Sequence, residues 1–350
     1  MSAERDPLAG KIPVTLVTGF LGSGKTTLIS KLVRHPEMNR VAVVINEVGE
    51  IGIDHDLVTM SSENITLLAN GCICCSVRTD LQETLRDLFS RRRAGEIADF
   101  DRVIVETTGL ADPAPVVQTL VSDTLLAAQY RLDGLVTLVD ALHGAQQILR
   151  QPEAVKQIAL ADRIFITKSD MASPTAVEEL KSAVLAMNPG AGVSLIVNGE
   201  VRPDALTNLG ISTARAGLAT LSFLGEPLDQ AGTGTGEERY LGTRSALHDS
   251  SIKTLSLRFH KSFTWATFSA ALELLATLRG PDLLRIKGIV NVDGSPVVVQ
   301  GVQHIFHAPV ALDRWPSADT DTRLVFITRN VEGDTIRNLL NAVSEMSAPG

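Results

Sequence analysis

A glycine-rich segment near the amino end of the chain has the residue types that bind phosphate. Residues 19–26 read Gly-Phe-Leu-Gly-Ser-Gly-Lys-Thr, which matches the pattern G-x-x-x-x-G-K-[ST]. The apolar run 14–17 precedes this segment, and an apolar periodicity typical of a helix follows it. Glycines let backbone N–H groups turn towards phosphate, and the amino end of a helix adds partial positive charge. We therefore predict a phosphate-binding loop rather than an ordinary glycine-rich turn.

Residues of this loop and of the helix start have separate expected roles. In this motif the lysine, here Lys25, is expected to reach the β- and γ-phosphates of a nucleotide. The hydroxyl of Thr26 is suited to bind Mg²⁺. Both residues are predicted to be catalytic. The nucleotide is predicted to contact the whole segment: Gly19, Gly22, Ser23, Gly24, Lys25, Thr26 and Thr27.

A second motif, Glu-Thr-Thr-Gly at 106–109, ends the apolar run 103–105. An acidic residue that ends a buried strand beside phosphates is expected to hold Mg²⁺ through water, which gives Glu106 a catalytic role. The N–H of Gly109 is expected to contact the γ-phosphate and to respond to its loss. The alternative is a simple capped strand end, and the phosphate loop favours the functional interpretation.

The residues Thr-Lys-Ser-Asp at 167–170 indicate which base is bound. They follow the apolar run 164–166, at the edge where the carboxyl ends of strands bind ligands in α/β sheets. A carboxylate at Asp170 can accept hydrogens from N1 and the exocyclic amine of guanine, whereas adenine lacks that donor pair. We predict that Thr167, Lys168 and Asp170 bind the base and select GTP over ATP. A solvated loop is the alternative, since this short motif is weak by itself.

The three cysteines of the chain all lie in one window, Cys-Ile-Cys-Cys at 72–75. Such clustering argues against a disulfide framework, which would tie distant segments together. Thiolates suit Zn²⁺, and also Co²⁺ or Cu⁺, so Cys72, Cys74 and Cys75 are predicted to bind metal. We expect them on a loop at the edge of the sheet that carries the phosphate loop. The loop after the second strand offers candidate further ligands, which are Glu47, Glu50 and the run Asp54-His55-Asp56. Redox chemistry or plain packing are the alternatives.

Apolar runs alternate with helical periodicity over about the first 220 residues. The runs are too apolar for half-exposed strands and predict central parallel strands: 14–17, 41–45, 103–105, 135–139 and 164–166. Two apolar stripes predict helices, one from Leu81, Leu85, Leu88 and Phe89 and one from Val177, Leu180, Val184 and Met187. This alternation predicts an α/β fold with a mostly parallel, doubly wound sheet.

The pattern changes near residue 224. Residues 225–251 are rich in Gly, Thr, Ser and Asp, and the order β-α-β-β-β-α follows, with strands at 252–260, 283–292, 296–307 and 322–329. We predict an α/β nucleotide-binding domain at 1–222, a flexible linker at 223–250 and a smaller α+β domain at 251–350.

Composition excludes several classes of protein. The 350 residues have a net charge of −8, which argues against nucleic acid as a main partner. Apolar runs stay well short of the ~18 residues that a membrane span requires. Residues 1–7 lack the apolar core of a secretory signal. We therefore expect a cytoplasmic protein with neither nucleic acid nor membrane as a partner.

Taken in order, five motifs resemble those of the CobW-like family of metallochaperone GTPases, which is related to HypB and UreG: 19–26, 46–54, 71–75, 106–109 and 167–170. Residues 278–307 resemble the C-terminal domain of that family, so the resemblance covers nearly the whole chain. It implies a P-loop GTPase domain and slow, Mg²⁺-dependent hydrolysis of GTP to GDP and phosphate. It also implies that Zn²⁺ or Co²⁺ is loaded into a client metalloprotein or a metal-cofactor pathway under nucleotide control. Where the family motif usually begins with Asn, this chain has Thr167.

Two functions from different classes remain open. One is a GTP-hydrolysing metallochaperone, and the other is a metal-responsive regulatory module that uses GTP as a switch with negligible turnover. A small-molecule phosphotransferase is disfavoured because the sequence has no recognisable acceptor pocket or lid. The client, the metal, its fourth ligand and the assembly state stay open, with a homodimer as one option.

Overall fold

The computed structural model describes residues 10–38, 40–45, 58–62, 65–68, 73–76, 81–207, 209–210 and 252–346, with backbone only for the three short strands between 58 and 76. These residues form two compact units, one of residues 10–181 and 192–210 and one of residues 182–191 and 252–346. The predicted linker at 223–250, and with it both predicted domain boundaries, lies outside the described residues. Of the helices that are described, none is long and apolar enough to cross a membrane.

A sheet of nine described strands forms the centre of the first unit. In chain order the strands are β1 (Ile12–Gly19), β2 (Val41–Ile45), β3 (Val58–Ser62), β4 (Ile65–Leu68), β5 (Ile73–Ser76), β6 (Arg102–Glu106), β7 (Tyr130–Asp140), β8 (Arg163–Thr167) and β9 (Gly192–Ile196). Their order across the sheet is β3-β4-β5-β2-β6-β1-β7-β8-β9. All neighbours from β5 to β9 are parallel, whereas β3 and β4 add an antiparallel edge. The mostly parallel, doubly wound sheet is therefore confirmed.

The apolar runs that predicted the central strands are buried on both faces of this sheet. Successive residues of a strand face opposite sides, and Leu16 and Val17 of β1 are both fully buried. The described helices of residues 10–191 are α1 (Lys25–Leu32), α2 (Leu81–Ala94), α3 (Ala114–Ser122), α4 (Thr124–Gln129), α5 (Gly144–Arg150), α6 (Pro152–Leu160) and α7 (Pro174–Met187). Both predicted helical stripes are confirmed as α2 and α7. The Ser173 hydroxyl accepts from the Ala176 N–H at 3.3 Å and so caps α7.

The second unit is an antiparallel sheet with two helices. Its elements are β10 (Ile252–Phe259), α8 (Trp265–Arg279), β11 (Leu283–Val292), β12 (Ser295–Val302), β13 (Ile305–Phe306), β14 (Val310–Ala311), β15 (Thr322–Arg329) and α9 (Gly333–Met346). The sheet order is β10-β15-β11-β12-β13, and β14 pairs with β12. Phe268 of α8 and Leu340 of α9 pack with Phe326 of β15 in one apolar core. The smaller α+β fold is therefore confirmed.

One predicted strand of this unit is wrong. The run 296–307 is divided into β12 and β13, because Gln303 between them has a φ of 55°, in the left-handed region. A β-strand cannot continue through that conformation, so the chain turns and β13 pairs antiparallel with β12.

Candidate functional site

The sheet brings three predicted motifs to one edge. The phosphate loop follows β1, the 106–109 motif begins at the last residue of β6, and the 167–170 motif begins at the last residue of β8. In the register of the sheet, Val17 lies opposite Glu106, and Asp140 at the end of β7 lies opposite Thr167. Because these strands are parallel and adjacent through β7, their carboxyl ends form one continuous edge, the usual place for ligands in such sheets.

The phosphate loop has a backbone that only glycine fits. Gly19, Gly22 and Gly24 have φ values of 143°, 74° and 92°. A Cβ atom on Gly19 would lie 2.5 Å from the Leu138 carbonyl oxygen, so a side chain there is excluded. Gly24 is the N-cap of α1 and has no side chain to cover the helix end. The amino end of α1 is thus left to bind an anion, as a phosphate site requires.

The Lys25 side chain is hydrogen-bonded to the backbone of the phosphate loop. It is buried, with 5% of its surface exposed, and its Nζ donates to the Gly19 carbonyl at 2.9 Å and the Phe20 carbonyl at 3.4 Å. A buried ammonium group needs such acceptors, because burial without partners is strongly unfavourable. The positive charge is therefore held within the loop, where phosphate oxygens would be recognised.

The Thr26 hydroxyl donates to Glu106 Oε1 at 3.0 Å, so the predicted Mg²⁺ residues are in direct contact. Glu106 is fully buried. The next residue, Thr107, fixes the end of β6, since its N–H donates to Val17 at 3.0 Å and its hydroxyl donates to Thr18 at 2.9 Å. A hydroxyl and a carboxylate are the hard oxygen ligands that Mg²⁺ prefers, so this pair fits the ion.

Gly109 lies against the phosphate loop. A Cβ atom at this position would lie 2.6 to 2.9 Å from atoms of Leu21, so only glycine allows the close approach. The segment is also held from behind by α6. Gln157 Nε2 donates to the carbonyls of Gly109 at 3.2 Å and Ala111 at 3.0 Å, and Lys156 forms an ion pair with Asp112 at 2.8 Å. We call these contacts of Lys156 and Gln157 the α6 clasp.

The base motif is bonded to the phosphate loop. The Thr167 hydroxyl donates to the Ser23 carbonyl at 2.9 Å, and Lys168 Nζ donates to the Gly22 carbonyl at 2.8 Å. Asp170 is exposed at the same edge, where a base could reach its carboxylate. Thr27, in the first turn of α1, is exposed as well.

Sequence reasoning missed two residues of this region, Asp140 and Gln157. Asp140 Oδ2 accepts from Lys168 Nζ at 2.7 Å and is buried beneath the base motif. Its signal was available, because it ends the apolar run 135–139 just as Glu106 ends the run 103–105. Gln157 lies on α6, for which no helix was predicted.

Only some of the predicted metal ligands lie among the residues that the structure describes. Glu47 and Cys72 lie outside the described residues. Cys74 and Cys75 lie within β5, opposite Val43 and Val44 of β2, with β4 on the other side. Their predicted place on a loop is wrong, since this segment is a strand of the sheet between β2 and β4.

Metal binding by these residues stays a prediction. Among the residues whose side chains are described, no group of three or more His, Cys, Asp or Glu is placed to hold a metal ion.

Comparisons with known proteins identify the family of the chain. The nucleotide-binding domain of CobW/HypB/UreG proteins matches residues 13–194, and the C-terminal domain of the cobalamin synthesis protein CobW matches residues 252–344. The zinc chaperone YjiA of Escherichia coli K12 is 33% identical over 334 residues, which cover 93% of this chain and 96% of YjiA. The zinc chaperone CobW of Pseudomonas aeruginosa is 30% identical, covering 94% of this chain and 91% of its own.

A solved structure agrees as well. The crystal structure of Zn(II)-bound YjiA GTPase from E. coli superposes with a TM-score of 0.74 at 30% identity, over 95% of this chain and 99% of that chain. The match extends over both the P-loop GTPase fold and the antiparallel domain that follows it. The resemblance carried by the motifs is thus confirmed, and the chain belongs to the CobW/HypB/UreG family.

Proposed function

We propose that this chain is a Mg²⁺-dependent GTPase that binds Zn²⁺, or Co²⁺, and passes it to a client protein under nucleotide control. The observation that carries the proposal is the meeting of three motifs at one edge of the sheet, with Thr26 and Glu106 in contact at 3.0 Å. Relatives that match almost the full length are named zinc chaperones, and YjiA was crystallised with zinc.

The phosphate end of the nucleotide is assigned to the loop and its neighbours. The loop glycines would turn backbone N–H groups towards the phosphates, and Lys25 adds a positive charge. The Ser23 N–H itself donates to the Phe20 carbonyl at 3.1 Å and closes the turn of the loop. Thr26 and Glu106 would hold Mg²⁺, which neutralises charge on the β- and γ-phosphate oxygens when bound. Gly109 lies against Leu21 of the loop, which supports the proposed contact of its N–H with the γ-phosphate.

The base is assigned to the loop after β8. Thr167 and Lys168 are bonded to the phosphate loop, which supports a base-binding role for the turn of chain that follows them. The exposed carboxylate of Asp170 has the acceptor pair that guanine requires. The Thr167 hydroxyl supplies a bond to the loop in this chain, where the family usually has Asn.

The cargo metal is assigned to Cys72, Cys74 and Cys75, with Glu47 as a further ligand. Sheet order supports a link to the nucleotide, because β5 lies next to β2, and β2 lies next to β6. Ile45, which ends β2 just before the Glu47 segment, is opposite Glu106 in the register. In GTPases such segments are ordered by the γ-phosphate and Mg²⁺ and relax when phosphate leaves.

The test is a metal titration in two nucleotide states. Zn²⁺ and Co²⁺ are titrated against a competing chelator, once with GDP and once with a non-hydrolysable GTP analogue. We expect metal to bind more tightly with the GTP analogue than with GDP, by roughly 5- to 150-fold. Because such coupling is reciprocal, bound metal should increase the affinity for the analogue, relative to GDP, by the same factor. Serine at all three cysteines should abolish tight metal binding and the coupling, while GTP binding survives.

A second variant and a rate measurement separate the outcomes. Lys25→Ala should retain metal binding and lose the nucleotide effect. Identical metal affinity in both nucleotide states would contradict nucleotide control. Turnover of GTP that stays negligible with and without metal would instead favour the regulatory module.

A further inference from the structure

We propose that Asp140 is a positioning residue for the nucleotide, which acts through Lys168 to hold the phosphate loop and the base motif in one arrangement. The proposal rests on the proposed nucleotide binding. Asp140 is the last residue of β7, and 1% of its surface is exposed. Its Oδ1 accepts from the Leu142 N–H at 2.8 Å, and its Oδ2 accepts from Lys168 Nζ at 2.7 Å. Both carboxylate oxygens are therefore committed to fixed donors.

The charge of Asp140 explains why Lys168 stays in place. A buried carboxylate needs a cation, because its desolvation is otherwise strongly unfavourable. Lys168 supplies that cation with a side chain that is 35% exposed and could otherwise extend into water. The same Nζ donates to the Gly22 carbonyl at 2.8 Å. One ammonium group thus joins the end of β7 to the phosphate loop.

The backbone of Lys168 gives independent evidence that its position is forced. Its φ of 56° lies in the left-handed region, which is uncommon for a residue with a side chain. Such conformations persist where surrounding contacts determine them, and they concentrate at functional sites. The Met171 N–H donates to the Lys168 carbonyl at 3.0 Å, which closes a turn that contains Asp170.

The consequence is that two neighbouring residues of the base motif hold two neighbouring carbonyls of the phosphate loop. Thr167 holds Ser23 and Lys168 holds Gly22. Asparagine at position 140 would keep an acceptor for Leu142 but would lose the negative charge. Lys168 would then be free to leave Gly22, so affinity for the nucleotide should fall although Asp140 touches no part of it.

A double-mutant cycle tests this inference. The dissociation constant of GDP is measured for the unmodified chain, Asp140→Asn, Lys168→Met and the double variant. We expect each single variant to bind GDP about tenfold more weakly, and the double variant to bind no more weakly than Lys168→Met. Asp140→Ser, which also removes the charge, is the second variant if Asp140→Asn does not fold.

Asp133 provides a matched control at the other end of β7. It is also a buried carboxylate, and it pairs with Arg102 and Arg131. Asp133→Asn should lower thermal stability and leave GDP affinity unchanged.

Steady-state kinetics give a second readout of the role of Asp140. Asp140→Asn should raise the KM for GTP by about the same factor as the dissociation constant of GDP. Its kcat should stay within about twofold of the unmodified chain, because Thr26, Glu106 and Gly109 are untouched.

The two proposals fail in different ways. If the unmodified chain binds neither GDP nor GTP, the proposed function is wrong and this inference falls with it. If the unmodified chain binds GDP and Asp140→Asn binds it equally well, or if the two single effects add in the double variant, only the role of Asp140 is wrong.

Discussion

The carbonyl oxygens of the phosphate loop are held by side chains that lie on several parts of the chain. Lys25 holds Gly19 from within the loop, whereas Thr167 holds Ser23 from β8. Because a peptide unit is planar, fixing the Ser23 carbonyl also fixes the opposite direction of the Gly24 N–H. In the proposed function, the N–H donors for phosphate are therefore oriented before the nucleotide binds, and such preorganisation lowers the entropy cost of binding.

At the residue scale, Lys25→Ala should weaken GDP binding by ~1.5–3 kcal/mol, or roughly 10- to 150-fold, because a charge-assisted contact is lost. GTP hydrolysis should fall as well. The measurement is a titration with a fluorescent GDP analogue. Lys31→Ala is the control, since Lys31 lies on the same helix and makes an exposed ion pair with Glu200. Equal affinities of the Lys25→Ala and Lys31→Ala variants would mean that this loop does not bind the phosphates.

Single residues were predictable where a motif fixes both type and neighbours. Lys25, Thr26 and Glu106 were predicted in this way. In the structure Lys25 donates to the Gly19 carbonyl, and Thr26 donates to Glu106. Asp140 was not predicted, although it ends an apolar run. A single carboxylate has no characteristic spacing, so its partner Lys168 becomes visible only when the parallel strands β7 and β8 are paired.

At the scale of elements, α6 controls the segment that follows β6. The Thr137 hydroxyl of β7 donates to the Gln157 carbonyl at 2.7 Å, which fixes the helix on the sheet. The Gln157 side chain then reaches the carbonyls of Gly109 and Ala111. The position of the proposed γ-phosphate contact thus depends on a helix that does not itself contact nucleotide in our proposal.

Gln157→Leu tests the α6 clasp. The buried Gly109 carbonyl and the partly buried Ala111 carbonyl lose their donor, so we expect a loss of ~1–3 kcal/mol in the free energy of unfolding. We also expect slower GTP hydrolysis with little change in GDP affinity, since GDP lacks the γ-phosphate. Urea unfolding and steady-state turnover are the measurements. Gln146→Leu, at an exposed position on α5, is the matched control. An unchanged hydrolysis rate would show that the clasp has only a structural role.

A second element-scale prediction concerns the start of α4. Asp123 is the N-cap of this helix and accepts from the N–H groups of Leu125 at 2.9 Å and Leu126 at 3.0 Å. The hydrogen bond from Leu126, with further bonds from Gln82 and Arg86, lowers the pKa of Asp123 below its ordinary value of 3.8. Folding therefore favours the charged form, and the stabilisation is present above the ordinary pKa and lost as pH falls through the lowered pKa.

Asp123→Asn should accordingly be less stable than the unmodified chain near about pH 7, and the difference should shrink as pH falls below about 3.8. Thermal unfolding across this pH range measures the effect. Asp87→Asn on α2 removes an exposed carboxylate that pairs with Arg91, and it should show only a small difference at every pH. A difference for Asp123→Asn that stays constant to the lowest pH would contradict the lowered pKa.

At the scale of the whole molecule, fold class was predictable because it depends on local patterns. Continuous apolar runs identify strands covered on both faces, and each central run became a strand of the parallel sheet. The position of β5 was not predictable in the same way. The segment Ile-Cys-Cys-Ser is short. It pairs with β2, which is distant in sequence, and with β4, and no sequence pattern marks either pairing. The break at Gln303 was equally hidden, because glutamine is not a residue that usually marks a left-handed turn.

The close contact between Gly109 and Leu21 has a consequence for how this protein can change over generations. Any side chain at position 109 would displace the backbone of the phosphate loop, so every substitution there should alter the proposed nucleotide site. The adjacent Leu110 is 54% exposed and carries no such restriction. Substitutions can therefore adapt this surface to a new partner at Leu110 but not at Gly109. The codon for Leu110 should accumulate substitutions much faster than the neighbouring codon for Gly109.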